Sequence, residues 1–186
     1  MSAMMKPTVI RKTGILFVVS SLTLGFAGAA SAQLNLGSLT DKAKGAAESG
    51  AKGKIEKEVN AKLTAEAKKN QCSFKTDSDQ LAPGCDAKLK KLTDALVDAK
   101  KRLDAASIKN YKFEVSGHTD SSGKADHNKE LSGKRAAVIV KELVSRGIAQ
   151  KEIISLGLGS DRPLVTPDDT PAKKAKNRRY EIQVRL

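Results

Sequence analysis

Residues 111–117 read Tyr-Lys-Phe-Glu-Val-Ser-Gly. Apolar and polar side chains alternate strictly from residue 111 to residue 116, which predicts a β-strand with one buried face. The chain ends in the same alternation, Tyr-Glu-Ile-Gln-Val-Arg-Leu over residues 180–186, which predicts a second strand of this kind. Two shorter strands are predicted at residues 153–157 (Ile-Ile-Ser-Leu-Gly) and 72–74 (Cys-Ser-Phe).

Two segments between these strands have helical periodicity. Apolar residues recur at steps of three and four in residues 86–105 and again in residues 128–146, where Ser132 is a candidate cap and Gly147 a stop. The order of elements is therefore βαβαββ. It predicts an α+β fold, an α/β sandwich in which two main helices cover one face of a small mixed four-stranded sheet.

The N-terminus has the layout of a secretory signal peptide. Lys6, Arg11 and Lys12 precede an apolar run over residues 14–30, which ends in the small-residue site Ala30-Ser-Ala32. Residues 1–32 are therefore predicted to direct export to the periplasm and to be removed, with a retained membrane anchor as the alternative. The mature chain, 33–186, is expected to contain no membrane span.

Residues 33–70 differ in composition from the rest of the chain and are predicted to be a flexible and helical lead segment. Residues 33–53 contain recurring glycines and are expected to form a flexible tether. Residues 54–69 place Ile55, Val59, Leu63 and Ala67 on one helical face. This helix could pack on the domain of residues 71–186, pair with a copy of itself, or act as a solvated spacer, which is the expected role.

The charge balance indicates an anionic partner. The formal net charge of +13 falls to +10 (13 − 3) when the three cations of the signal peptide are removed. In an exported protein the candidates are cell-wall carboxylates and lipid phosphates. Nucleic acid is disfavoured, because the chain has no Trp and only 3% aromatic residues with which to stack bases.

Cys72 and Cys85 are the only cysteines of the chain. An even number of cysteines in an oxidising compartment favours a disulfide, which would stabilise the fold by about 3 kcal/mol on a loop-entropy argument. Two buried free thiols are the alternative. A zinc site is disfavoured, because neither cysteine has a paired Cys or His neighbour.

The most informative residues occur in three motifs with a fixed order. These are Gly-His-Thr-Asp-x-x-Gly at 117–123, Asn-x-x-Leu-Ser-x-x-Arg-Ala at 128–136 and Asn-Arg-Arg at 177–179, with Gly-Leu-Gly at 157–159 and Pro163 between the last two. With these motifs the sequence resembles the OmpA C-terminal-like family, specifically over residues 113–184 and more weakly back to Cys72. The resemblance does not extend to residues 33–70. It implies non-covalent binding to the diaminopimelate of peptidoglycan stem peptides, without a cofactor.

The chemistry of that ligand fits two residues of the motifs. The side-chain end of diaminopimelate carries an ammonium and a carboxylate on one carbon, so its recognition takes an anion and a cation close together. By resemblance, Asp120 would accept the ammonium and Arg135 would bind the carboxylate, because a guanidinium can donate two parallel hydrogen bonds to it. The remaining expected contacts are Thr119 and Asn128, which bind the ligand or brace its loop, Leu131, which is an apolar wall or core, Arg178, and Leu81 in the turn-rich loop. Arg179 is expected to be solvated.

Catalysis and metal binding are not predicted. His118, Asp120 and Ser121 are nearly adjacent in sequence, which is the wrong arrangement for a catalytic triad assembled in space, and no His pair at helical spacing or Cys partner supports a metal site at His118, Asp120 and His127. The predicted function is peptidoglycan binding that anchors or organises the cell envelope. The alternative is an envelope adaptor that binds anionic lipid or another protein, such as an outer-membrane protein, through its basic surface or the 54–69 helix.

Overall fold

A computed structural model describes residues 36–186, except the side chains of residues 36–41 and 43. The predicted signal peptide lies outside the described residues, as does the start of the lead segment. Residues 37–186 form one compact unit. Among the described helices, none is both long enough and apolar enough to cross a bilayer.

The described chain contains four α-helices, one 3-10 turn and three strands. The helices are α1 (Leu36–Lys69), α2 (Asp86–Ala105), α3 (Ala125–Ser145) and α4 (Pro171–Asn177), and the 3-10 turn is Gln150–Glu152. The strands are β1 (Lys112–Gly117), β2 (Ile153–Gly157) and β3 (Tyr180–Arg185). The predicted mixed α/β class is confirmed.

The sheet has the order β2-β1-β3, with β1 parallel to β2 and antiparallel to β3. Phe113 faces Ile153 on one side and Val184 on the other, and Val115 faces Ile182. These five side chains are at most 1% exposed, and they form one core with buried residues of α1, α2 and α3. The alternating pattern of residues 111–116 therefore marks the central strand.

The prediction of four strands is wrong, because the sheet has three. Residues 72–74 do not join it, and Phe74 makes only an isolated antiparallel bridge to Leu81. The free edge of β3, where a further strand could add, is occupied by side chains. Asn60 donates to Val184 O (3.1 Å) and accepts from Val184 N (2.6 Å), while Gln71 donates to Tyr180 O (2.8 Å) and accepts from Tyr180 N (3.1 Å).

Helix α1 begins earlier than predicted, since residues 36–53 are helical rather than a flexible tether. Once the docked end of a helix has formed, each further residue adds a hydrogen bond without a new nucleation cost, which offsets the weak propensity of three glycines. Val59, Leu63 and Ala67 are only 2–3% exposed. The expectation of a solvated spacer is therefore wrong for this part of α1, which packs on the domain.

Two glycines allow α3 to lie very close to the sheet. A Cβ atom on Gly117 would lie 2.2 Å from Ser132 O, and one on Gly157 would lie 2.4 Å from Lys129 O. Ser132 is in the middle of α3 and does not cap it, since the helix begins at Ala125. Its hydroxyl instead accepts from Gly159 N (2.9 Å) and so joins the helix to the chain after β2.

Candidate functional site

The candidate site is built on the loop that joins β1 to α3. The backbone of this loop is fixed at its start, because His118 N donates to Arg179 O (2.8 Å) and Thr119 N donates to Gly159 O (2.9 Å). Asn128 in the first turn of α3 donates to Ser122 O (2.8 Å) and, more weakly, to Asp120 O (3.4 Å). Of the two roles considered for Asn128, the structure shows the bracing of the loop.

Asp120 is the acidic centre of this loop and is 9% exposed. Its Oδ2 accepts from Arg178 Nη1 (2.7 Å) and its Oδ1 accepts from Ser122 N (3.0 Å). Burial acts to raise the pKa of Asp120, but the hydrogen bonds from Arg178 and Ser122 outweigh it and hold the pKa below its ordinary value. The carboxylate is therefore ionised at neutral pH and fixed in orientation.

Arg135 on α3 is held by the segment that follows α1. Its Nε donates to Ser78 O (2.9 Å) and its Nη2 to Lys75 O (3.3 Å), while its guanidinium carbon lies 5.2 Å from the centre of the Phe74 ring. Burial lowers the pKa of Arg135, and the charge of Arg178 acts in the same direction. The nearby acidic groups Asp77 and Asp120 act in the opposite direction.

The structure thus places Asp120, Arg135 and Arg178 close enough for their charges to interact. It does not form an ion pair between Asp120 and Arg135, the two residues that were predicted to bind the ligand together. The ion-pair partner of Asp120 is Arg178, whose side chain is 46% exposed. Arg135 contacts backbone carbonyls and an aromatic ring. The carboxylate of Asp120 therefore interacts electrostatically with both arginines, and Asp77 also acts on Arg135.

The other expected site residues lie around this group. Thr119 is 5% exposed, and its Oγ1 has no hydrogen-bond partner among the described residues. Leu131 is half-buried and lines a shallow groove with His127 and residues 77–79. Leu81 is half-buried, packs against the core and pairs with Phe74, so it supports the loop that holds Arg135.

A second group of polar residues, not predicted as a set, fixes the outer wall of the site loop. Asp168 accepts from Ser121 N (2.9 Å), from the Ser121 hydroxyl, and from Asn177 Nδ2 (3.0 Å). These bonds, led by the Ser121 hydroxyl, lower the pKa of Asp168 to about 2. Asn177 also bonds both backbone groups of Val165. The sequence signal was the Asn of the Asn-Arg-Arg motif.

Arg179 is not solvated, and that expectation is wrong. Its side chain is 10% exposed. Its Nε lies 2.7 Å from Glu181 Oε1, and its two terminal nitrogens donate to Asn177 O (3.2 Å) and Arg162 O (3.0 Å). The two neighbouring arginines of this motif therefore have different contacts: Arg178 pairs with Asp120, and Arg179 fixes the backbone before β3.

His118 is 2% exposed, and neither ring nitrogen has a hydrogen-bond partner among the described residues. Burial, reinforced by the charge of Arg179, lowers the pKa of His118 to about 4. The imidazole is therefore neutral at physiological pH. No bond joins it to Asp120 or Ser121 in the way that a catalytic triad requires.

Cys72 and Cys85 are both buried free thiols in this structure. Cys72 Sγ lies 3.9 Å from Cys85 O, and burial raises the pKa of Cys72 to about 12. The two cysteines flank the segment that carries Phe74 and Leu81, and the Cys72 thiol contacts the backbone of Cys85. Among residues 36–186, no group of three or more His, Cys, Asp or Glu residues is arranged to hold a metal ion.

Comparison with known proteins identifies the family to which this fold and these motifs belong. Residues 73–178 match the OmpA family, and the chain belongs to this family. It is 43% identical over 70 residues to "Peptidoglycan-binding protein ArfA" of Mycobacterium bovis, and 44% identical over 71 residues to "Outer membrane porin F" of Pseudomonas fluorescens. Each match covers 38% of this chain but only 21% and 22% of those longer proteins.

A solved structure supports the fold. The chain is similar to the peptidoglycan-associated lipoprotein of Burkholderia pseudomallei, with a TM-score of 0.51 and 22% identity. This match covers 62% of this chain and 89% of that one. The resemblance to the OmpA C-terminal-like family seen in the sequence is therefore confirmed, and so is the mixed α/β architecture.

Proposed function

We propose that this protein binds peptidoglycan non-covalently through the diaminopimelate of stem peptides, and so anchors or organises the cell envelope. Family membership supports the proposal, as does the name of the mycobacterial relative, which describes that protein as peptidoglycan-binding. The role is one of binding, with no reaction catalysed. The predicted signal peptide supports a location in the periplasm, where peptidoglycan is accessible.

The ionised carboxylate of Asp120 is the observation that carries the proposal. A carboxylate offers about four lone-pair positions, and Ser122 N and Arg178 Nη1 are its donors here. The remaining positions are available to a ligand ammonium. Because Arg178 is half exposed, it can stay on Asp120 or turn towards the ligand without disturbing the core.

Arg135 supplies the matching cation for the ligand carboxylate. A guanidinium has five N–H donors, and the Nη1 group of Arg135 donates to no described residue. Asp120 would thus take the ammonium, and Arg135, with Arg178 beside it, the carboxylate. Leu131 and Leu81 would border its methylene chain, whereas Thr119 Oγ1 is buried and is not accessible to a ligand.

Co-sedimentation with purified sacculi tests this proposal. The wild-type protein should pellet with the sacculi, and Asp120→Asn and Arg135→Gln should each weaken binding at least about tenfold, since each leaves one end of the zwitterion unpaired (about 1.4 kcal/mol or more). Matched controls are Asp104→Asn and Arg102→Gln, which remove the same charges from exposed ion pairs of α2. Equal pelleting of all five proteins would reject the site.

A second candidate is an envelope adaptor that binds another protein or anionic lipid. The observation in its favour is that residues 44–54 of α1 are exposed and include Lys44, Lys52 and Lys54. The apolar face of residues 59–67 is already engaged with the core, so such a contact would use the basic face. Raising salt should release a diffuse electrostatic contact with anionic vesicles but largely spare a buried zwitterion site on sacculi.

A further inference from the structure

The segment that holds Arg135 is a small hairpin, residues 73–82. Lys75 N donates to Gln80 O (2.9 Å) and Ala82 N donates to Ser73 O (2.9 Å), on either side of the bridge between Phe74 and Leu81. The hairpin lies outside the three-stranded sheet. Its connection to α3 is made by side chains: Arg135 donates to two of its carbonyls, and His127 Nε2 lies 2.7 Å from Asp77 Oδ1.

The contacts of Arg135 with this hairpin restrict the position of the guanidinium. The Phe74 ring, with its centre 5.2 Å from the guanidinium carbon, is within cation–π range and limits the movement of the cation on that side. The bonds to Ser78 O (2.9 Å) and Lys75 O (3.3 Å) further fix its orientation. These contacts leave the Nη1 group of Arg135 as the part of the guanidinium that can donate to a ligand.

Phe74 itself has a fixed position. It is partly buried and packs against the hydrophobic core, and its backbone is paired with Leu81. The ring therefore acts as a rigid surface rather than as a mobile side chain. An arginine left free would have to lose several rotamers on binding a carboxylate, and an arginine that the hairpin already holds has lost them.

We propose that Phe74 is a positioning residue for peptidoglycan binding: it fixes the guanidinium of Arg135 so that its Nη1 edge meets the ligand carboxylate. The proposal rests on the proposed function of the site. It assigns to the 73–82 hairpin a specific role, which is to pre-organise the cation on α3. Phe74 does not itself contact the charged groups of the ligand.

The test compares Phe74→Leu, which keeps apolar bulk but removes the aromatic face, with Phe74→Tyr, which keeps that face. Binding to sacculi and to free meso-diaminopimelate should weaken about tenfold in Phe74→Leu and stay within about twofold of wild type in Phe74→Tyr. In an Arg135→Gln background, Phe74→Leu should cause little further loss, because the cation that Phe74 positions is already gone. A general structural role for Phe74 would give the same loss in both backgrounds.

A ligand-free measurement tests the positioning of Arg135 separately from ligand binding. The ¹⁵N-¹H signal of Arg135 Nε should be visible in the wild type and in Phe74→Tyr, where the Nε proton is held on Ser78 O, and should broaden or exchange faster in Phe74→Leu. An unchanged Nε signal, or unchanged binding in Phe74→Leu, would overturn the role of Phe74 while leaving the site intact. Failure of the wild type to bind would overturn the proposed function and this inference together.

Discussion

Substitution of Gly157 by alanine should destabilise the fold by a large and calculable amount. The new methyl group would lie 2.4 Å from Lys129 O and 2.6 Å from Gly133 N, both backbone atoms of α3. Ordinary contacts begin near 3.4 Å, so α3 and β2 would have to separate by about 1 Å. Overpacking of this kind costs about 1–3 kcal/mol, and a clash with rigid backbone on both sides places Gly157→Ala at the upper end, about 3 kcal/mol.

Gly133→Ala is the matched control, because it adds the same methyl group to the other side of the same contact. Its Cβ would lie 3.7 Å from Gly157 Cα, an ordinary separation. Alanine is favoured over glycine inside a helix, so this variant should be more stable than wild type by about 0.5–1 kcal/mol.

Urea denaturation followed by circular dichroism measures both variants, provided that the slope against denaturant is unchanged. The two free energies of unfolding should differ by about 4 kcal/mol and have opposite signs relative to wild type. Because α3 carries Arg135, a surviving Gly157→Ala protein should also bind sacculi more weakly. A Gly157→Ala variant within 0.5 kcal/mol of wild type, or less affected than Gly133→Ala, would refute the packing argument.

Three further results are expected. The double substitution Asn60→Ala with Gln71→Ala, which removes both amides from the edge of β3, should lower the free energy of unfolding by about 2–4 kcal/mol. Four hydrogen bonds to β3 are lost at about 0.5–1.5 kcal/mol each, and water replaces part of them. Urea denaturation measures the change, and a value below about 0.5 kcal/mol would contradict this expectation. His118 has its pKa lowered from 6.5 to about 4, so the unfolded chain binds the extra proton between these values. Stability should therefore fall as pH falls from 6.5 to 4, and His118→Gln should flatten that dependence; identical pH profiles would exclude His118 as the cause. Cys72 and Cys85 should form a disulfide in protein recovered from an oxidising compartment. Non-reducing mass spectrometry would detect the disulfide as a mass lower by two hydrogens. Alkylation of both thiols in the unfolded, unreduced chain would contradict this prediction.

The sequence predicted the elements whose patterns are local. Residues 111–116 and 180–186 alternate because one face of a strand meets the core, and both strands formed where predicted. Helix α2 was predicted at its observed bounds, because its buried apolar residues follow the helical period. The start of α3 was predicted at residue 128, three residues after the observed start at Ala125. The candidate cap Ser132 lies inside the helix, and its hydroxyl accepts from Gly159 N, 27 residues away.

The parts of the structure that the sequence did not predict depend on contacts between distant residues. Nothing local indicates that Asn60 and Gln71 occupy the edge of β3, at separations of 124 and 109 residues, and so exclude residues 72–74 from the sheet. The pairing of Asp120 with Arg178 likewise spans 58 residues. The motifs therefore predicted the residues of the candidate site, whereas the contacts of these residues depend on the packing of α3, α4 and the 73–82 hairpin.

A crystal of the protein soaked with meso-diaminopimelate would show whether the ligand binds at Asp120 and Arg135. We expect density for one end of the ligand between α3 and the loop after β1, with its ammonium within about 3 Å of an Asp120 carboxylate oxygen and its carboxylate at a similar distance from Arg135 Nη1. Diaminopimelate bound elsewhere, or no density at a concentration that saturates the protein in solution, would contradict it.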